Sequence, residues 1–169
     1  LALARFDVED LEWEARSDVG MEELLLAVAD GAIDDAAFRR LVDWHVAQGT
    51  DAIVAVGTTG ESATLSYAEH HRVIEITIEA AAGRVPVIAG TGSNSTQEAV
   101  ALTHHAKEAG ADGALLISPY YNRPTGDGIV EHYATIAREV SLPLVAYNIP
   151  ARTGSNILPE TVARLAEIE

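Results

Sequence analysis

The chain has 169 residues, 48% of them apolar and 22% charged, which suits one domain with a packed core and excludes a disordered acidic tail or a large multidomain machine. Twenty-six acids against eleven bases leave a formal charge of −15, a balance that repels phosphate backbones and anionic lipid and argues against nucleic-acid and membrane-surface binding. There is no cysteine, so disulfides, thiolate zinc sites and thiol nucleophiles are ruled out.

No stretch of about 18 apolar residues and no secretory-signal pattern is found, so the expectation is a cytoplasmic protein without a membrane span. Ten of the eleven bases are arginine and Lys107 is the only lysine. A mechanism that needs a side-chain amine therefore has one candidate.

Residues 1–30 carry nine acids and two arginines. The stretch MEELLLAV within them reads as amphipathic helix, which predicts an acidic, helical N-terminal arm. Asp34 is a helix N-cap candidate for a segment running to about Gln48 and closed by Gly49. Short, nearly continuous apolar runs follow at residues 52–56 (AIVAV), 85–89 (VPVIA), 113–117 (GALLI) and 144–147 (LVAY). They are too short for helices and read as strands buried on both faces. Between them, Ser66 to Glu69 and Ser95 to Glu98 fit the S-x-x-E capping box, and Pro159 stands where a first-turn proline belongs.

Strand starts recur about every thirty residues with a helix between each pair, a βα repeat that demands parallel strands. An α/β fold follows, either an open doubly wound sheet or a (β/α)₈ TIM barrel. Polar, glycine-containing clusters after successive strands favour the barrel, whose chemistry gathers at that rim: GTTGES, GTGSNS, SPYYNRP and YNIPARTG. Only four or five units fit between residues 31 and 169, so the expectation is the N-terminal portion of a barrel, incomplete. Half a barrel leaves open strand edges, and such a chain should be a fragment or complete itself by association.

The loops carry the candidate chemistry. Thr58 and Thr59 offer hydroxyls and N–H groups to a carboxylate or phosphate before a helix, while Ser62 and Thr64 can equally be local hydrogen bonders. Two adjacent aromatics, Tyr120 and Tyr121, are costly in a loop unless they pack at an interface or bind something. Tyr147 supplies a phenol able to relay protons, and Arg152 a guanidinium suited to clamping a carboxylate. The pairs His70-His71 and His104-His105 invite a metal reading, but adjacent helical residues diverge by about 100° and cannot chelate together. A surface or flank role is expected for them. Lys107 projects off the apolar stripe of Ala99, Leu102, Ala106 and Ala109 and should be solvated.

In order and spacing, VGTTGES, VIAGTGxN, PYYNRP and YNIPxRTG resemble the dihydrodipicolinate synthases, within the larger family that includes N-acetylneuraminate lyase, from about Gly31 to Glu169. The resemblance implies a cofactor-free, metal-free TIM-barrel lyase, usually a homotetramer of tight dimers, that condenses pyruvate with aspartate 4-semialdehyde in lysine biosynthesis. Carried over, it implies that Thr59 binds the pyruvate carboxylate and Tyr147 donates and accepts protons. Thr58 joins Tyr147 in a relay completed by Tyr121 from a neighbouring subunit, and Arg152 holds the aldehyde substrate's carboxylate. The Tyr120-Tyr121 loop would then form the homo-oligomer interface. Some members bind lysine as a feedback inhibitor there, and Ala63, Asn94, Glu98 and Tyr120 match that site. Tyr67 stands where a lysine-sensitive form has His, which argues against inhibition.

Two departures matter. The family's Schiff-base lysine lies on the sixth strand, which by this spacing falls roughly six residues past Glu169. The family's first strand is also unrecognisable in LLLAVADG. The chain is therefore expected to be inactive alone, Lys107 being on an outer helix. The alternatives are another pyruvate lyase such as N-acetylneuraminate lyase, against which Arg152 counts, a non-catalytic subunit keeping the interface tyrosines, or a truncated gene product.

Overall fold

A computed structural model of the protein describes residues 33–168. The acidic arm expected over residues 1–30 lies outside the described residues. In chain order the elements are α1 (Asp35–Ala47), β1 (Ile53–Ala55), a 3₁₀ turn (Ser62–Thr64), α2 (Tyr67–Ala81), β2 (Val87–Gly90), α3 (Thr96–Ala109), β3 (Gly113–Ile117), α4 (Gly126–Glu139), β4 (Leu144–Tyr147), α5 (Pro150–Thr153) and α6 (Pro159–Leu165). The four strands form one parallel sheet in the order β1-β2-β3-β4. This is the expected βα repeat, in which each helix carries the chain back to start the next parallel strand.

Local chemistry sets most boundaries. Asp34 accepts from the Ala37 N–H at 3.0 Å, capping α1, and Gly49 follows the helix at φ +85°. Ser66 and Glu69 form both halves of a capping box, with Glu69 N–H donating to Ser66 Oγ at 3.4 Å and Ser66 N–H to the Glu69 carboxylate at 2.8 Å. At α3 only half of the expected box forms. Glu98 N–H donates to Ser95 Oγ at 3.4 Å, but the Glu98 carboxylate accepts from the Ser93 hydroxyl, a competing donor upstream of the motif. β2 begins two residues later than its apolar run because Pro86 has no N–H, although its carbonyl still accepts from Ile53 N–H at 2.9 Å. β1 stops at Ala55 because Val56 turns out of the strand at φ +50°.

The two sheet faces differ. Ala55, Val87 and Ala89 pack with Val73, Ile74 and Ala81 of α2, while Ala114, Leu116 and Leu144 pack with Ile129, Tyr133 and Ile136 of α4. Alternation sends Val54, Ile88, Leu115 and Val145 to the other face, Val54 in register with Ile88 and Leu115 with Val145. Burial on both faces was the expectation, and it holds on the helix side except at Ala146, which is exposed near the end of β4. On the opposite face Val54 is 51% exposed and Ile88, Leu115 and Val145 are half-buried. Right-handed crossovers place successive helices on one side of a barrel sheet, so its other face is covered only by side chains from strands across the barrel.

Two contacts bind the strand ends tightly. A Cβ on Gly90 would lie 2.3 Å from the Val56 carbonyl oxygen, and one on Gly92 would lie 2.5 Å from the Ile117 nitrogen. Tyr133, on the buried side of α4, donates its hydroxyl to the Leu116 carbonyl at 2.5 Å. Burial holds this phenol well above the ordinary phenol range, the nearby Tyr147 backbone opposing it. One side chain from α4 thus bonds to β3 and packs in the same core as Leu144 of β4.

Gly90→Ala should lower stability by about 1–3 kcal/mol through overpacking, read as a fall in the urea midpoint. Tyr133→Phe should cost on the order of 1 kcal/mol with the far-UV circular dichroism spectrum unchanged.

Candidate active site

All four polar clusters follow the C-terminal ends of parallel strands and so lie at one end of the sheet, where barrel enzymes assemble their sites. Neighbouring loops are joined pairwise. The first meets the second where Val56 lies against Gly90. The second meets the third where Thr91 N–H donates to the Leu115 carbonyl at 3.0 Å and Asn122 Nδ2 donates to the Asn94 carbonyl at 3.0 Å. The third meets the fourth through the Ser118 and Ser155 hydroxyls, 3.3 Å apart, and through Arg123, which lies so close over Gly154 that an added Cβ would sit 2.9 Å from its Nε.

Thr58 is half-buried and Thr59 exposed, in a turn closed by Glu61 N–H donating to the Thr58 carbonyl at 3.2 Å. Glu61 holds φ +52°, a left-handed conformation that a side-chain-bearing residue adopts at a cost. The local reading of Thr64 is correct, since its hydroxyl donates to the Glu61 carbonyl at 2.9 Å.

Tyr147 ends β4 in register with Ile117. Alternation puts it on the face of Val54 and Val145, away from the helices. Beyond it, Asn148 folds the loop back: its Nδ2 donates to Asn156 Oδ1 at 2.8 Å and its Oδ1 accepts from Ile157 N–H at 3.0 Å. Pro150 then opens the short helix α5, which carries Arg152 exposed at the rim. Thr153 is buried and donates its hydroxyl to the Ser155 carbonyl at 2.8 Å, anchoring the segment.

The Tyr120-Tyr121 loop is the most prominent exposed feature. Tyr120 is 39% and Tyr121 88% exposed, and Tyr121 and Arg123 hold φ +69° and +48°. Strained backbone that presents a bare aromatic ring fits an element built to reach another surface. Of the four residues matched to an effector site, Asn94 and Glu98 flank the start of α3, and the Asn122 bond brings the Tyr120 loop beside them. Ala63 lies exposed on the 3₁₀ turn after β1.

Several residues that shape the site escaped the sequence reading. Asn148, Ser118 and Ser155 are short polar residues in loops, and nothing in their spacing shows that they bond one another. Tyr133 was traceable, because Ile129, Tyr133 and Ile136 repeat at helical spacing. Lys107 is exposed on α3, as expected. One of the paired histidines departs from the expectation: His70 is only 7% exposed and its Nε2–H donates to the Gly90 carbonyl at 3.0 Å, because α2 turns this position toward the sheet. Among the described residues no group of three His, Asp or Glu side chains could hold a metal ion, and no helix is long and apolar enough to cross a membrane. An apolar hollow lined by Tyr133, Leu144, Ala146, Leu165 and Ile168 opens on the helix face; apart from the Tyr133 hydroxyl, already bonded to β3, its side chains offer nothing for polar chemistry.

Comparison with known proteins agrees with this geometry. The chain is 64% identical over 139 residues to the 4-hydroxy-tetrahydrodipicolinate synthase of Syntrophus aciditrophicus, an alignment covering 82% of this chain and 48% of the relative. It is 61% identical over 137 residues to that of Geotalea daltonii, covering 81% and 47%. The chain spans about half the length of the curated relatives it matches. Among solved structures, dihydrodipicolinate synthase from Acinetobacter baumannii, complexed with pyruvate, superposes with a TM-score of 0.81 at 55% identity, covering 82% of this chain and 48% of that one. The enzyme from Cyanidioschyzon merolae, with lysine bound, gives 0.80 at 42% identity, covering 83% and 48%. These neighbours are TIM barrels, and the matched part is their N-terminal portion. The model of the dihydrodipicolinate synthetase family matches residues 27–169, and with most of its length so matched the chain belongs to that family.

Proposed function

We propose that residues 31–169 form the first part of a 4-hydroxy-tetrahydrodipicolinate synthase, which condenses pyruvate with aspartate 4-semialdehyde through a Schiff base on a lysine outside these 169 residues. The observation that carries this reading is the gathering of Thr58, Thr59, Tyr147 and Arg152 at one end of a parallel sheet, while Lys107 stands exposed on an outer helix. The polar residues suit the handling of a keto acid, and the amine is not among them.

In this reading Thr59 binds the pyruvate carboxylate through its hydroxyl and backbone N–H. An iminium makes the pyruvate methyl acidic, and the resulting enamine attacks the aldehyde carbon. Tyr147 moves the protons, its position set by the pairing of β4 with β3, and Thr58 and Tyr121 extend the relay. The exposure of the Tyr121 ring supports its entry into a neighbouring subunit of a cytoplasmic homotetramer. Arg152, on a helix pinned by Asn148 and Thr153, takes the aldehyde substrate's carboxylate, for which a guanidinium is the natural bidentate partner. Pyruvate in the Acinetobacter baumannii structure supports the substrate. Lysine in the Cyanidioschyzon merolae structure supports an effector site at Ala63, Asn94, Glu98 and Tyr120, against which Tyr67 weighs. The reaction uses no cofactor.

Incubated with pyruvate and borohydride, the 169-residue chain should show no adduct by mass spectrometry; a reduced pyruvate on Lys107 overturns the assignment of the nucleophile. Fused to the C-terminal half of the Syntrophus aciditrophicus relative, it should condense pyruvate with aspartate semialdehyde and leave sialic acid intact. In that fusion Tyr147→Phe should cut kcat about a hundredfold or more, and Arg152→Ala should raise KM for the aldehyde more than KM for pyruvate. Sialic acid cleavage by the fusion would overturn the reading.

A further inference from the structure

Four imidazoles lie on the facing helices α2 and α3, none of them used by the chemistry above. Adjacent helical residues diverge, so neither His70-His71 nor His104-His105 pairs with itself. Helix packing instead brings one ring from each pair together. The His71 and His105 rings stack with centroids 3.6 Å apart and planes 15° from parallel. His70 stands edge-on to His71 at 6.2 Å and 71°, held by its bond to the Gly90 carbonyl, with Nδ1 buried and unpartnered. His104, next to His105, points to solvent.

The charges around the stack are few. From α2, Glu75 lies one turn beyond His71 and brings its carboxylate to 3.6 Å from His105 Nε2. Arg72 competes for Glu75 at 3.6 Å and is itself tied to Glu79 at 3.7 Å and to Asp35 of α1. β2 presents only the neutral Gly90 carbonyl to His70. From α3 the stack's own member, His105, is the titratable group that faces α2. One carboxylate, shared with an arginine, can neutralise one imidazolium but not two. Two neutral rings, or one neutral and one charged, stack favourably; two charged rings at this separation repel each other.

We propose that the His71–His105 stack is an acid-sensitive clasp between α2 and α3, closed while at most one ring carries a proton and forced open when both do. Burial holds His71 below the ordinary histidine value, the neighbouring His105 lowers it further, and Glu75 opposes both. His70 is lowered chiefly by burial as well. For a histidine whose folded value lies below its unfolded one, stability is complete above the unfolded value near 6.5 and is lost as pH falls through the lowered value. The clasp therefore releases on mild acidification. His70 and the buried His132 add a background loss in the same direction, so the stack has to be isolated by coupling rather than by acid sensitivity alone.

Thermal unfolding of the 169-residue chain between pH 7.5 and 5.0 tests this, comparing wild type with His71→Gln, His105→Gln, the double variant and the control His104→Gln. Each single substitution in the stack should shrink the wild-type fall in Tm by about 3 °C or more. The double variant should shrink it no further than one single does, and His104→Gln should follow wild type. Equal falls in wild type and both single variants, or strictly additive effects in the double, overturn the proposal. Should the glutamine variants fail to fold, NMR titration of the ring carbons in the wild-type chain decides. A His71 curve in two coupled steps supports the clasp, whereas a single-step curve overturns it.

Discussion

The rim depends on how closely backbones can approach at the strand ends. Gly90 lies under the Val56 carbonyl and Gly92 against the Ile117 nitrogen, both nearer than any side chain permits. These two approaches bring the first three rim loops together before any side chain takes part. Hydrogen bonds then refine the arrangement: Asn122 to Asn94 across the second and third loops, Ser118 with Ser155 across the third and fourth. The result is a continuous polar margin along one end of a sheet whose strands contribute three to five residues each. Rigidity here comes from neighbouring loops sharing atoms, because strands this short cannot supply it alone.

Much of the fold was readable from the amino acids because it rests on local rules. Short apolar runs marked the strands, and Asp34, Ser66 and Pro159 marked helix starts. The misreadings each have a physical source. β2 starts late because a proline at its head cannot donate. Half of the box at Ser95 is missing because Ser93 competes for Glu98. Val54 is exposed because strand composition reports apolar character, not which partner covers each face. The His71–His105 stack is invisible to spacing, since it joins residues 34 positions apart through the packing of two helices. The candidate site was recognisable through its loop motifs, whereas its supports at Asn148 and Ser155 emerge only from geometry.

The site also illustrates how a barrel divides labour. The groups proposed to hold carboxylates and pass protons sit at the ends of the strands present in this chain or on the loops after them, and the proposed covalent step calls on an amine the chain does not place there. Tyr133 supports that arrangement, being at once core filler for α4 and a hydroxyl donor to the β3 backbone at Leu116. A residue so placed couples the packing of the scaffold to the strand that ends in Tyr147, the proposed proton donor.

Lys107 gives the molecule an unusual experimental asset. As the sole side-chain amine, exposed on α3 and removed from the strand ends, it offers amine-reactive reagents one internal address on a surface whose other cations are guanidinium. A fluorophore or cross-linker attached there would label one helix per molecule and leave the loop margin chemically untouched. Lysine-specific proteolysis would likewise open the chain within α3 alone.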